Sequence, residues 1–176
     1  ITFFLVNRPE RSTYVMLHET STKMGETKTV KLPDGSSVKL NAGSTLRYPL
    51  SFDGNIREVY LEGEGFFEVT KNTRKPFIVR VEELDVKVHS TSFNIEAYKG
   101  MGNLSVAVKT GKVTFSPTAK EASGIVLAPM QKGVYSVVTE EFVSVEADEA
   151  DFAWIDNRII FDQTSLSEAV TELNRS

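Results

Sequence analysis

Apolar residues along the chain recur mainly at every second position. Val30 and Leu32 alternate with polar neighbours, and Val38 and Leu40 do the same after a Pro-Asp-Gly turn at residues 33–35. This pattern is typical of a β-hairpin. Similar short runs, rich in β-branched and aromatic residues and separated by turn-forming stretches, continue through most of the chain. A dozen or so short strands joined by short turns predict an all-β fold, an antiparallel sandwich, jelly roll or barrel.

The alternation changes phase once. Val86 and Val88 occupy even positions, whereas Phe93 and Ile95 occupy odd ones. A single strand would need a one-residue slip around residues 89–91, which is what a β-bulge provides. Two strands joined by a sharp bend are the alternative.

The pattern changes in character near residue 148. A short strand, Arg158–Phe161, precedes the sequence TSLSEAVTEL, in which Ser165 and Glu168 have capping-box spacing. The apolar residues that follow fall on one helical face: Leu166, Ala169, Val170 and Leu173. Residues 155–176 therefore predict the opening strand and helix of a truncated second domain, or a helix folded back on the sandwich.

Composition excludes several classes of protein. The net charge is -4 and Lys and Arg are scattered, so the basic surface of a nucleic-acid-binding protein is missing. The chain has no cysteine, which rules out disulfides and thiolate metal sites. The apolar run at residues 1–6 is too short for a membrane span, which needs about 20 residues. A chain that begins with Ile is expected to be a fragment, whose targeting segments are not in the sequence.

Candidate chemistry is sparse. His18 and His89 are the only histidines, and their spacing indicates no metal site. Glu62, Glu64 and Glu68 would share one face of a strand, and paired carboxylates are what glycosidases use. A solvated strand face opposite Leu61, Phe67 and Val69 is the favoured explanation of the three glutamates, since no second carboxylate cluster lies among aromatic residues.

Other motifs also favour structural explanations. Gly63-Glu64-Gly65 lacks a following βα unit, so the glycines indicate a bulge or a close backbone approach rather than a phosphate site. A nucleophile elbow of the GxSxG type is missing. Phe66 and Phe67 are consecutive, so one should face each way from a strand and both faces of the sheet should be covered there.

Three blocks of sequence resemble a known family. TKTVKLPDGSSVKLNAGSTLRYP, REVYLEGEGFFEVTKNTRKPFIV and VKVHSTSFNIEAY, in this order and spacing, are similar to the periplasmic domain of FecR-family sigma-factor regulators. WIDNRIIFDQTSLSEAVTEL resembles the tail of these proteins, where a small domain similar to the secretin and TonB short domain begins. The resemblance covers roughly residues 24–176.

The resemblance implies a fold and three segments. The fold is an all-β, antiparallel, jelly-roll-like β-sandwich, followed by a short strand and helix that begin a truncated α+β domain. Residues 1–23 would be a membrane-proximal linker, residues 24–148 the FecR-like domain and residues 149–176 the start of the C-terminal module.

The resemblance also implies a role without a catalytic site or a cofactor. Family members are single-pass inner-membrane proteins that bind a cytoplasmic sigma factor through an N-terminal region, which with the transmembrane helix would be missing here. Their periplasmic part receives a signal from the N-terminal domain of an outer-membrane TonB-dependent transporter. We expect a partner, or the rest of the second domain, to dock on a C-terminal surface made by Trp154, Phe161, Leu166, Val170 and Leu173. The equal alternative is that these five residues are ordinary core. The alternatives are a carbohydrate-binding jelly roll, which would show a row of exposed aromatic residues, and a glycosidase built on one of the glutamates.

Some positions depart from the family pattern. Gly65 stands where the family usually has Ala, and Asn157 where it usually has Gly. Ser90-Thr91 stands where the family usually has Gly-Thr. Some family members are thought to cleave their own chain at the peptide bond before that Thr. That reaction needs a strained, open peptide, which glycine provides best, so we expect the bond before Thr91 to stay intact in this chain.

Overall fold

The computed structural model describes residues 16–156. This part of the chain forms thirteen β-strands and one four-residue α-helix. The strands are β1 (Leu17–Ser21), β2 (Lys28–Lys31), β3 (Ser37–Leu40), β4 (Thr45–Pro49), β5 (Arg57–Glu68), β6 (Phe77–Val81), β7 (Leu84–Val88), β8 (Ser92–Ala97), β9 (Asn103–Thr110), β10 (Val113–Pro117), β11 (Ile125–Leu127), β12 (Gln131–Ser136) and β13 (Glu141–Glu146). The helix is α1 (Ala150–Ala153), and 3-10 turns lie at Glu121–Ser123 and Trp154–Asp156.

The strands form two layers that share the long strand β5. Sheet A has the order β1-β4-β5-β6-β7-β10-β11, using the first half of β5. Sheet B has the order β2-β3-β5-β8-β9-β12-β13, using its second half. The pairing of β5 with β6 is parallel, and the other pairings among the described strands are antiparallel. The predicted all-β, jelly-roll-like sandwich is confirmed.

Strand β5 passes from one layer to the other at Gly63. This glycine has a φ of +97°, a backbone conformation that residues with a Cβ rarely adopt. A Cβ at this position would also lie 2.5 Å from the Ser44 hydroxyl oxygen. The predicted close backbone approach at Gly63-Glu64-Gly65 is therefore confirmed, and it places the bend of the shared strand.

The core lies between the two sheets. Alternate residues of central strands such as β7, where Leu84, Val86 and Val88 are buried, point into it, as the period of two predicts. Phe67 is at its centre: its ring stacks on Phe93, with ring centroids 5.2 Å apart, and meets Phe77 edge-on at 6.4 Å. All three side chains are fully buried.

The phase change after Val88 corresponds to a sharp bend. Strand β7 belongs to sheet A and β8 to sheet B, so residues 89–91 carry the chain from one layer to the other. Of the two alternatives left open by the sequence, two strands joined by a bend is the one observed.

Strand β1 is the first element of the described residues. Strand β1 falls within the segment predicted as a linker, residues 1–23, yet all five of its residues pair with β4. The β-structure thus extends to Leu17. The predicted strand Arg158–Phe161 and the helix after it lie outside the described residues. Between residues 16 and 156 we find no helix long and apolar enough to cross a membrane.

Candidate functional site

Residues 148–156 form a compact turn that follows β13, here named the C-terminal turn. Its local structure comes from a capping box. The Asp148 carboxylate accepts hydrogen bonds from the backbone N–H groups of Ala150 and Asp151 at 2.8 and 3.2 Å. In return, the Asp151 carboxylate accepts the backbone N–H of Asp148 at 3.0 Å. The sequence DEAD is thus enough to start a single turn of helix.

The C-terminal turn lies on the outer face of sheet B. That face carries a cross-strand row formed by Lys39, Phe66, Asn94, Ala107 and Lys132 on β3, β5, β8, β9 and β12. Phe66 points away from the core because Phe67 points into it, yet Phe66 is only 6% exposed. The prediction that both faces of the sheet are covered at this pair is confirmed.

Aromatic contacts provide the covering. The ring of Phe152 meets Phe66 edge-on at 6.4 Å between centroids. The ammonium group of Lys109 lies 5.6 Å from the Phe66 ring centre and 5.9 Å from that of Phe152. Such cation–π contacts are typically worth about 0.5–1 kcal/mol each at accessible sites.

Two further lysines hold the turn at its ends. Lys132 forms an ion pair with Asp151 at 2.5 Å. Lys39 lies 5.8 Å from the Trp154 ring centre and donates to the carbonyl of Ile155 at 2.5 Å. Burial lowers the pKa of Lys132, but the hydrogen bond and charge of Asp151 outweigh that effect, so its pKa lies above the ordinary value. Lys132 therefore stays charged while it is partly buried.

The predicted partner surface is only partly described. Trp154 is half-buried on the outer face of sheet B. Its indole N–H is buried without a hydrogen-bond acceptor among residues 16–156. Phe161, Leu166, Val170 and Leu173 lie outside the described residues, so their grouping with Trp154 stays a prediction.

The Ser90-Thr91 pair occupies the bend between β7 and β8. Thr91 is 3% exposed; its hydroxyl donates to the Lys112 carbonyl and its own carbonyl accepts the Val69 N–H, both at 3.0 Å. Gly111 packs against the same peptide, because a Cβ there would lie 2.5 Å from the Ser90 carbonyl oxygen. Neither Ser90 nor Thr91 has a positive φ. The Thr91 hydroxyl is thus hydrogen-bonded to the Lys112 carbonyl. The Ser90–Thr91 peptide also lacks the backbone strain that a positive φ would indicate.

A polar cleft of about 320 Å³ opens beside this bend. Its lining is rich in hydroxyl groups, from Ser37, Thr70, Ser90, Thr91, Ser92 and Thr110, with Lys31 and Glu68 as its charged members. The lining contains neither a histidine nor a second carboxylate. Its lining therefore offers hydrogen bonds, without a histidine and without the pair of carboxylates that most glycosidases use.

The three glutamates of β5 have different surroundings. Glu62 and Glu68 are accessible to solvent, as a solvated strand face predicts. Glu64 differs, because it is 7% exposed and accepts hydrogen bonds from the side-chain amides of Asn41 at 2.7 Å and Asn94 at 2.8 Å. A solvated face is therefore wrong for Glu64, whose carboxylate is buried among amides because the strand bends next to it.

Arg57 is a polar centre that sequence reasoning missed. Its side chain is 2% exposed and forms an ion pair with Asp34 at 2.7 Å. It also donates to the carbonyls of Thr70 at 2.9 Å, Lys75 at 3.0 Å and His89 at 3.3 Å. The curl of β5 makes this possible, since it brings Arg57 at the start of the strand close to Thr70 just beyond its end.

Asp34 connects this centre to the Pro-Asp-Gly turn. Burial raises the pKa of Asp34, but hydrogen bonds from Ser36 and Arg57 and the charge of Arg57 outweigh that, leaving its pKa below the ordinary value. The Pro-Asp-Gly sequence predicts only a hairpin turn at this place. In the structure Asp34 also neutralises a buried guanidinium. The sequence feature that could have indicated this buried charge is the single arginine at the start of β5.

The histidines lie apart. His18 pairs with Tyr48 across β1 and β4, with stacked rings 5.8 Å apart, and His89 precedes the Ser90 bend. Within residues 16–156 no group of three or more His, Asp or Glu side chains is placed to hold a metal ion.

Comparisons with known proteins agree with this architecture. The profile of the family described as "FecR protein" matches residues 18–114. A crystal structure at 1.65 Å resolution of a candidate anti-sigma factor from Parabacteroides distasonis ATCC 8503 is 38% identical, with a TM-score of 0.83, over 90% of this chain and 74% of that one. A second crystal structure under the same description, at 2.50 Å, is 39% identical with the same TM-score and coverage. Among curated protein sequences no match was found.

Proposed function

Because this chain belongs to the FecR family, we propose that it is the signal-relay domain of a transmembrane anti-sigma factor. The observation that supports this most is the similarity to a candidate anti-sigma factor over 90% of the chain, at 38% identity. Such similarity extends well beyond the sandwich architecture, which many unrelated proteins share. The role is regulatory and works through protein contacts.

The proposed relay connects two membranes. The domain lies in the periplasm as part of a single-pass inner-membrane protein, whose helix and sigma-factor-binding region lie outside this sequence. It responds to the N-terminal signalling domain of an outer-membrane TonB-dependent transporter when that transporter holds its ligand. The response passes to a cytoplasmic extracytoplasmic-function sigma factor. The family resemblance supports this assignment.

The docking surface is proposed at the C-terminal end. Trp154 and the apolar positions of residues 157–176, Phe161, Leu166, Val170 and Leu173, would receive the transporter domain or complete the second module. Support comes from the helical spacing of the last three residues and from the half-buried Trp154 beside them in sequence.

Residues 16–156 do not show the structural features that the two alternative functions require. None of the aromatic side chains of residues 16–156 is exposed, so a carbohydrate-binding face with stacking platforms has no counterpart in this part of the chain. For a glycosidase, the acid and its partner carboxylate must face one cleft. Glu68 is the one carboxylate that lines the cleft of 320 Å³, and Glu64 is buried between two amides.

Binding measurements test the proposal directly. The chain, extended to a complete second module, is titrated by calorimetry with the N-terminal domains of transporters encoded beside it. We expect a dissociation constant on the order of micromolar for one of them. Leu166→Ala or Leu173→Ala should weaken binding about tenfold, the effect of a lost anchor side chain. Val138→Ala is the control, because Val138 is 86% exposed and lies outside the proposed docking surface. This variant should bind as the wild type does.

Two outcomes would contradict the proposal. Absence of binding to every transporter domain, together with measurable affinity for a glycan, would reduce the relation to a shared fold. Binding that survives both leucine substitutions but is lost in a variant of the sandwich would place the docking surface elsewhere.

A further inference from the structure

The C-terminal turn contacts the sandwich through side chains. None of the backbone-to-backbone hydrogen bonds of the described residues joins residues 148–155 to a strand, although the Ile155 carbonyl accepts the ammonium group of Lys39 at 2.5 Å. Lys132, Lys109 and Lys39, from three different strands, also hold Asp151, Phe152 and Trp154 through one ion pair and two cation–ring contacts. The aliphatic stems of such lysines lie along the sheet while their charged ends reach the turn, so these contacts involve side chains and not the hydrogen bonds between strands.

The turn also keeps its own shape. The reciprocal hydrogen bonds between Asp148 and Asp151 are internal to it. Phe152 and Trp154 are half-buried, whereas the side chains at the centre of the sandwich, such as Phe67 and Phe93, are 0% exposed. Segments with few buried apolar contacts and no ladder hydrogen bonds open at a lower free energy than the strands beneath them.

Beneath the turn lies a small apolar area on an otherwise polar face. Phe66 is 6% and Ala107 2% exposed, and both belong to the row that the turn covers. Because Phe67 is fixed in the core by its stacking on Phe93, the backbone of β5 holds Phe66 in place whether or not the turn is attached.

We propose that the C-terminal turn is a two-state contact, which detaches from the outer face of sheet B while the sandwich stays folded and thereby uncovers Phe66. In the attached state residues 148–156 contact the outer face of sheet B, and in the detached state they are joined to the sandwich through Ala147, whose N–H donates to the Met130 carbonyl at 2.9 Å. This inference goes beyond the proposed function and does not depend on the identity of any partner. A ligand that binds the detached state more tightly shifts the equilibrium by its difference in affinity for the two states.

The test uses the single tryptophan of the sequence. Because this residue is Trp154, acrylamide quenching of fluorescence reports on the turn alone. The variants are Asp151→Asn, which removes the charge facing Lys132, and Phe152→Ala, which removes the ring on Phe66. The matched control is Glu149→Gln, which removes one negative charge from the same turn at an exposed position.

Hydrogen exchange measured by mass spectrometry supplies the second readout. In the wild type, amides of residues 148–156 should exchange faster than those of β9 and β12. Asp151→Asn and Phe152→Ala should raise exchange in the turn by roughly fivefold, as expected when a few local contacts are weakened. Acrylamide quenching of Trp154 should rise in the same two variants, while hydrogen exchange in β9 and β12 stays at the wild-type rate. The control Glu149→Gln should match the wild type in both measurements.

A covalent link provides the reverse perturbation. The chain has no cysteine, so Lys132→Cys and Asp151→Cys can be combined and joined by a short bis-maleimide. The linked protein should show slower exchange in the turn and lower quenching than the same variant before linking. The proposal is overturned if the turn exchanges no faster than the strands, or if Asp151→Asn and Phe152→Ala change quenching no more than Glu149→Gln does.

Discussion

Replacing Arg57 should destabilise the domain far more than replacing a surface arginine whose ion pair has the same nitrogen–oxygen distance. Arg57→Met removes the ion pair to Asp34 and the hydrogen bonds to the carbonyls of Thr70 and Lys75. The His89 carbonyl loses the guanidinium as a donor but keeps the N–H of Asn72 at 3.2 Å. Each buried acceptor left without a partner costs about 1 kcal/mol or more, and breaking a buried ion pair costs about 3–5 kcal/mol. Because these terms overlap, we expect a loss of about 4 kcal/mol, a large part of the 5–15 kcal/mol typical of a domain.

The carboxylate side of the pair should cost somewhat less. Asp34→Asn keeps the shape of the turn but leaves the guanidinium of Arg57, which is 2% exposed, without its counter-charge. The three carbonyls still accept from Arg57, so we expect a loss of about 2–3 kcal/mol. In the double variant neither charge remains, and its loss should be close to that of Arg57→Met alone.

Urea unfolding followed by far-ultraviolet circular dichroism measures these quantities. Arg47→Met is the matched control, because Arg47 pairs with Glu19 at the same 2.7 Å but at 30% and 31% exposure. A surface pair of this kind is worth about 0–1 kcal/mol. The reasoning is refuted if Arg57→Met costs no more than Arg47→Met, or if the two single losses at Arg57 and Asp34 simply add in the double variant.

Three further predictions concern other parts of the domain. The pKa of Asp34 is depressed in the folded state. The stability that the Asp34 charge contributes is therefore present above the ordinary pKa of 3.8 and is lost as the pH falls through the folded-state pKa. In acid unfolding, the stabilities of the wild type and Asp34→Asn should converge below about pH 4. Mass spectrometry of the purified chain should give one species of 19.6 kDa, because the Thr91 hydroxyl donates to Lys112; fragments ending at Ser90 would contradict this. Phe67→Ala should cost about 3–5 kcal/mol in urea unfolding because it leaves a cavity between stacked rings, and a loss as small as that of Val138→Ala would argue against the central role of Phe67.

The strands were predictable because their information is local. Alternation of apolar and polar residues depends on neighbours two positions apart, and both faces of a sheet impose it. The Pro-Asp-Gly hairpin and the close approach at Gly63 were predicted for the same reason. The extent of strand β5 was harder to predict, because Leu61 and Phe67 belong to one twelve-residue strand that is part of both sheets. A strand shared by two sheets has no periodic signal in the sequence that distinguishes it from two separate strands.

Long-range polar contacts were the part that the sequence did not reveal. Asp34 is 23 positions from Arg57, and nothing in the spacing of two charged residues indicates that they meet inside a protein. Glu64 was expected on a solvated face because its spacing places it on the same face of a strand as Glu62 and Glu68. Only the layer change at Gly63 brings Asn41 and Asn94 to its carboxylate. The contact of Phe152 with Phe66 was missed for the same reason, although the adjacent pair Phe66 and Phe67 correctly indicated that something covers the outer face.

The position of Phe66 next to Phe67 limits how a signal can cross this domain. Phe67 is locked between Phe77 and Phe93 in the core, and Arg57 holds the two ends of β5 together. A movement of the C-terminal turn away from Phe66 therefore meets a strand that is fixed on its inner side and at both ends. Interiors packed at this density do not deform gradually, so the sandwich is the support in such a movement and the turn is the moving part. Under the proposed relay, variants of Asp151 and Phe152 should alter the response to a bound transporter domain while leaving the unfolding free energy of the sandwich almost unchanged. Variants of Arg57 should do the opposite, lowering that free energy without changing the response of the protein that remains folded.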